Sequence, residues 1–450
     1  MVGRVSFSAM NDTGSDAAPG TGESAAFLRA VTDLGARRRI TTSQPIYNAQ
    51  GVKLLEGSVT IDQGLYDRLV SHRLSLPLDE CIDAGPAVNG AVLREAAVAA
   101  IARWPFFARL APAGRAGDEL LDAVAAVQLP KSVALHLTLA RETRPALFEH
   151  SMLMALLCAY LAKESEASKR GVAMAAAAGL LHDLGMLHID PGLLDSDDRL
   201  SGAQLRPVYV HPLTSSMLVD RNAVYAKEVV RAVVEHHERL DGSGYPRGLA
   251  GEAMSPLGRV VSLAEVVTAM FDGDRRLPEQ RVSLLLRVNP RRYDPKGVAI
   301  IHRLLAAGPA PAEGDTIAAG PLIVRLLQLA EVLTGWHEAI EPLIPQLDGA
   351  HAALLQSLNE QNATLQRMFY GAGITPEQLA AASAEVGDDA AFRVELWTLA
   401  EELLWQLHAA ANQLERRWLA TEPSTPHPPA LAEWFAAVAG LDTAAPALDA

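Results

Sequence analysis

Residues 234–249 read VEHHERLDGSGYPRGL. Two adjacent histidines, His236 and His237, end a helix-periodic run, YAKEVVRAVVEHHERL, and the turn-dense segment DGSGYP follows at once. Glycine supplies positive φ there without steric penalty, and proline presets a turn. Neighbours on a helix diverge by about 100°, so two adjacent imidazoles converge on one target only near a helix end. Such a pair needs partners elsewhere in the chain.

Upstream, SKRGVAMAAAAGLLHDLGM reads as an Ala-rich helix that carries His182 and Asp183 and stops at Gly185, a left-handed terminator. Burying adjacent ionisable residues unpaired costs on the order of several kcal/mol, and a metal ion removes that penalty. Asp183 is short and can offer an oxygen to each of two cations. His150 in FEHSM and His211 in YVHPLTSS lie on further helical segments. His150, His182, Asp183, His211, His236 and His237 therefore form a candidate donor set. Imidazole nitrogens with a bridging carboxylate suit iron, manganese, zinc or nickel rather than calcium or magnesium alone.

The rest of the chain frames this set. At 450 residues it is expected to hold two or three domains. Hydrophobic residues make up 49% and aromatics 5%, a mixture led by Ala and Leu that favours helices. The net charge of −14 argues against duplex nucleic acid and anionic membranes, which need a basic face. A small phosphorylated ligand stays open, because a metal site supplies positive charge locally. Two cysteines, Cys81 and Cys158, allow no disulfide framework and no CxxC metal motif, which fits a reducing cytoplasm. The segment MVGRVSFSAMNDTGSD lacks the apolar core of a signal peptide, and no apolar run is long enough for a membrane span.

Composition divides the chain as follows. Residues 1–24 read as a disordered leader. Residues 25–131 read as an N-terminal region with a short β element, a hairpin around NAQG, followed by helices. Its basic run ARRRI reads as a solvated face. Residues 132–307 are almost wholly helical in pattern and carry the donor set. A Pro/Gly-rich linker covers 308–320, a helical region 321–420, and a Pro-rich break with a short terminal helix 421–450. Phe392, Leu396, Leu399, Leu403, Leu407, Ala410 and Leu414 make a near-heptad stripe, widened by Trp397 and Leu404. It reads as core packing inside a helical hairpin or as the seam of a homodimer. The fold class expected is mainly α: an all-α domain with a small mixed α/β N-terminal region and a helical C-terminal extension.

His150, the His182-Asp183 dyad, His211 and then HHERLDGSGYPRGL resemble an HD-GYP domain, the branch of the HD phosphohydrolases that hydrolyses cyclic di-GMP. The resemblance covers about residues 132–305, and the IDPGLL, GEAMSPLGRVVSLAEVV and RRYDPKGVAIIHRLL segments fit it too. It implies that His150, His182, Asp183 and a closing acidic position, here Glu265, hold one metal. Asp183 would bridge to a second held by His211, His236 and His237. His182 and Asp183 stand at the centre of catalysis in that reading. The Asp241, Gly242, Gly244, Tyr245 and Pro246 loop would frame the substrate and dock a signalling partner, with a purely structural loop as the alternative.

This sequence departs from the pattern at three places. Met186 stands where a phosphate-contacting lysine is expected, Glu265 and Thr268 replace the closing aspartates, and Ala146 removes a third-metal glutamate. The resemblance implies two divalent transition-metal ions, iron or manganese first and zinc or nickel as alternatives. It implies a bacterial, cytoplasmic phosphodiesterase that opens cyclic di-GMP to linear pGpG and/or GMP. A catalytically weakened binding or scaffold protein, or an HD phosphohydrolase acting on another nucleotide, are the alternatives.

Overall fold

A computed structural model describes residues 24–85, 87–111, 114–194, 205–271, 277–308, 319–371, 390–421 and 427–443. The expected leader, the linker and the Pro-rich break lie mostly outside these residues. The fold is mainly α, as the composition predicts.

Helix α1 (Ala25–Arg37) starts where the Ser24 hydroxyl accepts the Phe27 N–H. Strands β1 (Thr41–Thr42), β2 (Ile46–Tyr47), β3 (Lys53–Leu55) and β4 (Ile82–Asp83) form two antiparallel pairs, β1 with β4 and β2 with β3. The second pair is the hairpin expected at NAQG. Gly51 turns it at φ +78°, and the Asn48 carboxamide oxygen accepts the Gln50 and Val52 N–H groups. Helices α2 (Gly90–Arg103), α3 (Arg115–Ala125) and α4 (Lys131–Thr143) then cover the central bundle.

That bundle is built on α5 (Pro145–Glu164) and α6 (Lys169–Leu181). Ala175, Ala176, Ala177 and Ala178 are buried, and a Cβ on Gly179 would lie 2.6 Å from the Met154 carbonyl oxygen. The small side chains therefore let the two backbones approach, which explains the Ala-rich composition of α6 better than propensity does. Among the described residues α5 has the length and hydropathy to cross a bilayer, but 72% of that stretch is buried inside the chain. It is the core helix of the bundle.

Around it stand α7 (Leu205–Asp220), α8 (Lys227–Glu235), α9 (Pro256–Thr268), α10 (Pro278–Val288) and α11 (Pro295–Ala306). Proline opens α5, α9, α10 and α11, where its missing N–H loses no hydrogen bond. Ser255 and Asp294 cap α9 and α11. One hydrophobic core runs from Phe27 through Phe106, Phe107 and Val133 to Leu304. The compositional boundary at residue 131 therefore runs through a shared interior.

A second core belongs to α12 (Ala319–Ala339), α13 (Gly349–Gly371), α14 (Ala390–Thr421) and α15 (Pro429–Thr443). Leu396, Leu399, Leu403, Leu407, Ala410 and Leu414 all point into it, beside Trp336, Phe369 and Trp434. These residues of the stripe read as a possible homodimer seam are covered by the chain's own helices; the side chain of Phe392 lies outside the described residues. Helix α14 reaches the first core as well, where Trp405 packs.

Candidate metal centre

Three helices deliver an imidazole by the same local device. His182 caps α6, and its Nδ1 lies 2.8 Å from the Gly179 carbonyl oxygen. His236 caps α8, with Nδ1 2.6 Å from the Val233 oxygen. Both carbonyls belong to a last helical turn, where no backbone N–H four residues on continues the ladder. His211 lies inside α7, yet Nδ1 lies 2.5 Å from the Val208 oxygen. The reason is Pro212: it has no N–H to give the carbonyl four residues back, so that oxygen is left for the imidazole. A ring nitrogen this close to a carbonyl oxygen must donate, which puts a proton on Nδ1 in all three rings and turns Nε2 inward, open to a metal or to a second proton.

The Nε2 atoms converge. His211 Nε2 lies 3.0 Å from His236 Nε2, and both face Asp183 Oδ1, at 3.0 and 3.5 Å. His182 Nε2 lies 3.3 Å from Asp183 Oδ2 and 3.3 Å from Glu265 Oε2. His150 Nε2 lies 3.2 Å from the same Glu265 oxygen, across 115 residues of sequence. Two donor groups result, His150/His182/Asp183 and His211/His236/His237, each with ligand atoms within 4.8 Å of one another. Asp183 stands between them.

The electrostatics ask for a cation. Burial disfavours charge on Asp183 and Glu265, yet the surrounding imidazoles hold both carboxyls well below the usual range. Burial likewise opposes protonation of His182, but Asp183 and Glu265 outweigh it and raise His182 to about 9. Burial pushes His236 down to about 3 and lowers His237 well below its ordinary value. Lone pairs of neighbouring imidazoles 3.0 Å apart repel unless something positive lies between them. His182 Nε2 and Asp183 Oδ1 are buried with no hydrogen-bond partner. Orphaned donor atoms of this type, on rings oriented by carbonyls, fit a nitrogen- and oxygen-ligated transition metal.

The loop after α8 is held from beneath. Glu238 is fully buried, and its two oxygens accept the Arg247 and Leu249 N–H groups at 2.7 and 2.8 Å. A Cβ on Gly244 would lie 2.4 Å from the Glu238 Cα, so only glycine fits there. Tyr245 stacks on His237 with centroids 4.6 Å apart and meets Tyr209 edge-on at 5.0 Å. Pro246 follows through a cis peptide. The Asp241 carboxylate turns into its own loop, accepting from the Ser243 N–H and hydroxyl and from Arg292. Gly242 takes φ +79°.

Several positions behave differently from their sequence reading. Gly185 is no left-handed stop: α6 ends at Leu181, and Gly185 lies in the following 3-10 turn. A Cβ there would lie 2.5 Å from the His211 carbonyl oxygen, so the glycine permits close approach of α7. The Thr268 hydroxyl donates to the Ala264 carbonyl and faces its own helix. Arg144, overlooked in sequence, donates to the Met186 and Ile189 carbonyls at 2.7 Å each and pins the turn after Asp183. Glu238 and Tyr209 were overlooked too. Only Glu238 carried a signal, as an acidic residue ahead of a turn full of backbone N–H groups.

Fold and centre define a class: a helical domain whose histidine and carboxylate donors converge from several helices on one buried point. Residues 135–297 match the family described as HD domain. Over 124 residues it is 36% identical to the 3'3'-cGAMP-specific phosphodiesterase 1 of Vibrio cholerae serotype O1, covering 27% of this chain and 28% of that protein. It is also 36% identical to a cyclic di-GMP phosphodiesterase of Pseudomonas aeruginosa, covering 27% of this chain and 30% of the relative. The chain thus spans less than a third of the length of either relative. A solved HDGYP protein from Bdellovibrio bacteriovorus aligns at TM-score 0.34 and 16% identity, over 59% of this chain and 95% of that one.

Proposed function

We propose that this protein is a metal-dependent phosphodiesterase whose substrate is a cyclic dinucleotide. The observation that carries the reading is the pair of donor groups that meet at Asp183. His150, His182, Asp183 and Glu265 would hold one divalent ion, and His211, His236 and His237 the second. Bound there, such ions supply Lewis acidity toward a phosphodiester and an activated water. The chain's own groups prepare that chemistry. The carbonyl partners at Gly179, Val208 and Val233 fix each ring and keep Nε2 basic. Asp183 directs one oxygen toward each group, which ties the two halves together. Tyr245 covers the His237 ring and excludes water from that side. The substrate class rests on the relatives, a 3'3'-cGAMP-specific phosphodiesterase and a cyclic di-GMP phosphodiesterase.

A second reading, binding without turnover, is favoured by Met186. A thioether there offers no charge to a phosphate, and a charge-assisted hydrogen bond is among the stronger polar contacts. One experiment separates the two. Protein loaded with manganese or iron is given cyclic di-GMP and 3'3'-cGAMP, with metal content measured by elemental analysis and Asp183→Ala as control. Turnover that vanishes with metal in the variant supports the phosphodiesterase. Tight binding of either dinucleotide with no hydrolysis favours the scaffold. Full metal occupancy in Asp183→Ala sinks the bridging role.

A further inference from the structure

The Asp241–Pro246 loop touches more than the centre beneath it. Arg417, far along α14, donates through Nη2 to the Gly242 carbonyl at 3.2 Å. The same Nη2 lies 3.7 Å from where a Cβ on Gly248 would stand. Gly242 and Gly248, the two glycines beside the guanidinium, have φ of +79° and +64°. Arg292, in the turn before α11, makes a second tie. Its Nε donates to Asp241 Oδ2 at 3.2 Å and its Nη1 to Gln406 Oε1 of α14 at 3.3 Å. Its carbonyl accepts the Leu240 N–H at 3.0 Å. The far side of the loop carries Tyr245, stacked on His237, and the Tyr245 N–H donates to the His237 carbonyl.

Helix α14 is itself fixed by contacts that do not involve the loop. Glu401 pairs with Arg281 at 3.4 Å and with Arg325 at 3.1 Å. Trp405 packs on the first core. A helix anchored in both cores therefore reaches the loop through two guanidinium groups.

We propose that Arg417 and Arg292 are positioning residues: they hold the Asp241–Pro246 loop against α14 and thereby hold Tyr245 over His237. The proposal rests on His237 acting as a ligand in the reading above. It makes the C-terminal helices part of the centre's support, so that whatever displaces α14 loosens the ring that faces His237.

The test uses the full chain with Arg417→Ala, Arg417→Lys and the double variant Arg417→Ala/Arg292→Ala. Hydrogen exchange of residues 240–251 is followed, with residues 150–164 as internal reference for intact folding. Arg417→Ala should exchange about tenfold faster in the loop, the effect of losing roughly 1.4 kcal/mol of opening free energy. Arg417→Lys, which keeps one donor, should recover part of the protection. Manganese(II) affinity should fall several-fold in the double variant while the reference helix is unchanged. Loop exchange equal to wild type in the double variant overturns the proposal. A loosened loop with unchanged manganese(II) affinity overturns the link through Tyr245 to His237. Wild-type protein that hydrolyses neither dinucleotide, but whose loop and metal affinity respond as expected, removes the phosphodiesterase reading and leaves the positioning role standing.

Discussion

Pro212 sets the orientation of His211 by what it lacks. The Val208 oxygen accepts an imidazole N–H because the residue four positions on has no backbone N–H. Proline inside a helix costs about 3 kcal/mol, so Pro212→Ala should raise the melting temperature of the protein. The same change returns a competing N–H to Val208. Metal affinity at His211, His236 and His237 should then fall by about tenfold, the scale seen for losing an orienting partner. Calorimetry with metal titration checks both signs, and unchanged affinity would refute the account of His211. Glu265 invites a second measurement. It faces both His150 and His182, so Glu265→Ala should lose one ion per chain while the other group keeps its own. Elemental analysis that still finds two ions would remove Glu265 from the ligands.

At the scale of elements, α14 carries both an apolar stripe and a buried acid. Leu403 is fully buried in the second core, and Leu403→Ala should cost about 2–5 kcal/mol. Light scattering should show no change in particle mass, because Leu403 packs within the core formed with α12, α13 and α15. Glu402 is fully buried beside Gln406, with Arg281 and Arg292 nearby. Burial raises its carboxyl to about 7, with Gln406 and the two arginines opposing only in part. An acid raised in the folded state is held more tightly as the neutral form. Its ionisation therefore destabilises the fold progressively from the ordinary glutamate value near 4.5 up to about 7, and the loss is complete above that. Glu402→Gln should abolish that dependence and stabilise the protein at pH 8 by up to about 3 kcal/mol. Thermal melts at pH 5 and pH 8 decide it; equal gains at both would show that ionisation is not the cause.

At the scale of the molecule, two cores meet along α10 and α14. The first is continuous from Phe27 to Leu304, with Trp405 of α14 packed against its outside. A chain cut after residue 308 should keep a cooperative melt while the Asp241–Pro246 loop, deprived of Arg417 and Gln406, becomes the first site of proteolysis. Cleavage that starts in α5 or α6 instead would show that the C-terminal helices support the central bundle as a whole.

The sequence by itself determined the candidate donors, the helices that carry them and the turn that follows His237. Residue type sets what can bind a metal, and apolar period with proline and glycine punctuation sets where helices run. Only the tertiary structure separated one buried histidine cluster from another. His136 and His188 are imidazoles too, but they stack on Phe27 and join neither donor group. Periodicity likewise could not say what covers the α14 stripe, since a neighbouring helix and a second chain satisfy the same apolar face. Nor could it distinguish the stop first read at Gly185 from the close approach of α7 that is found. Convergence of His150 with Glu265, or of Arg417 with Gly242, joins residues far apart in the chain. Such meetings are decided by how helices pack, and no local pattern of side chains encodes them.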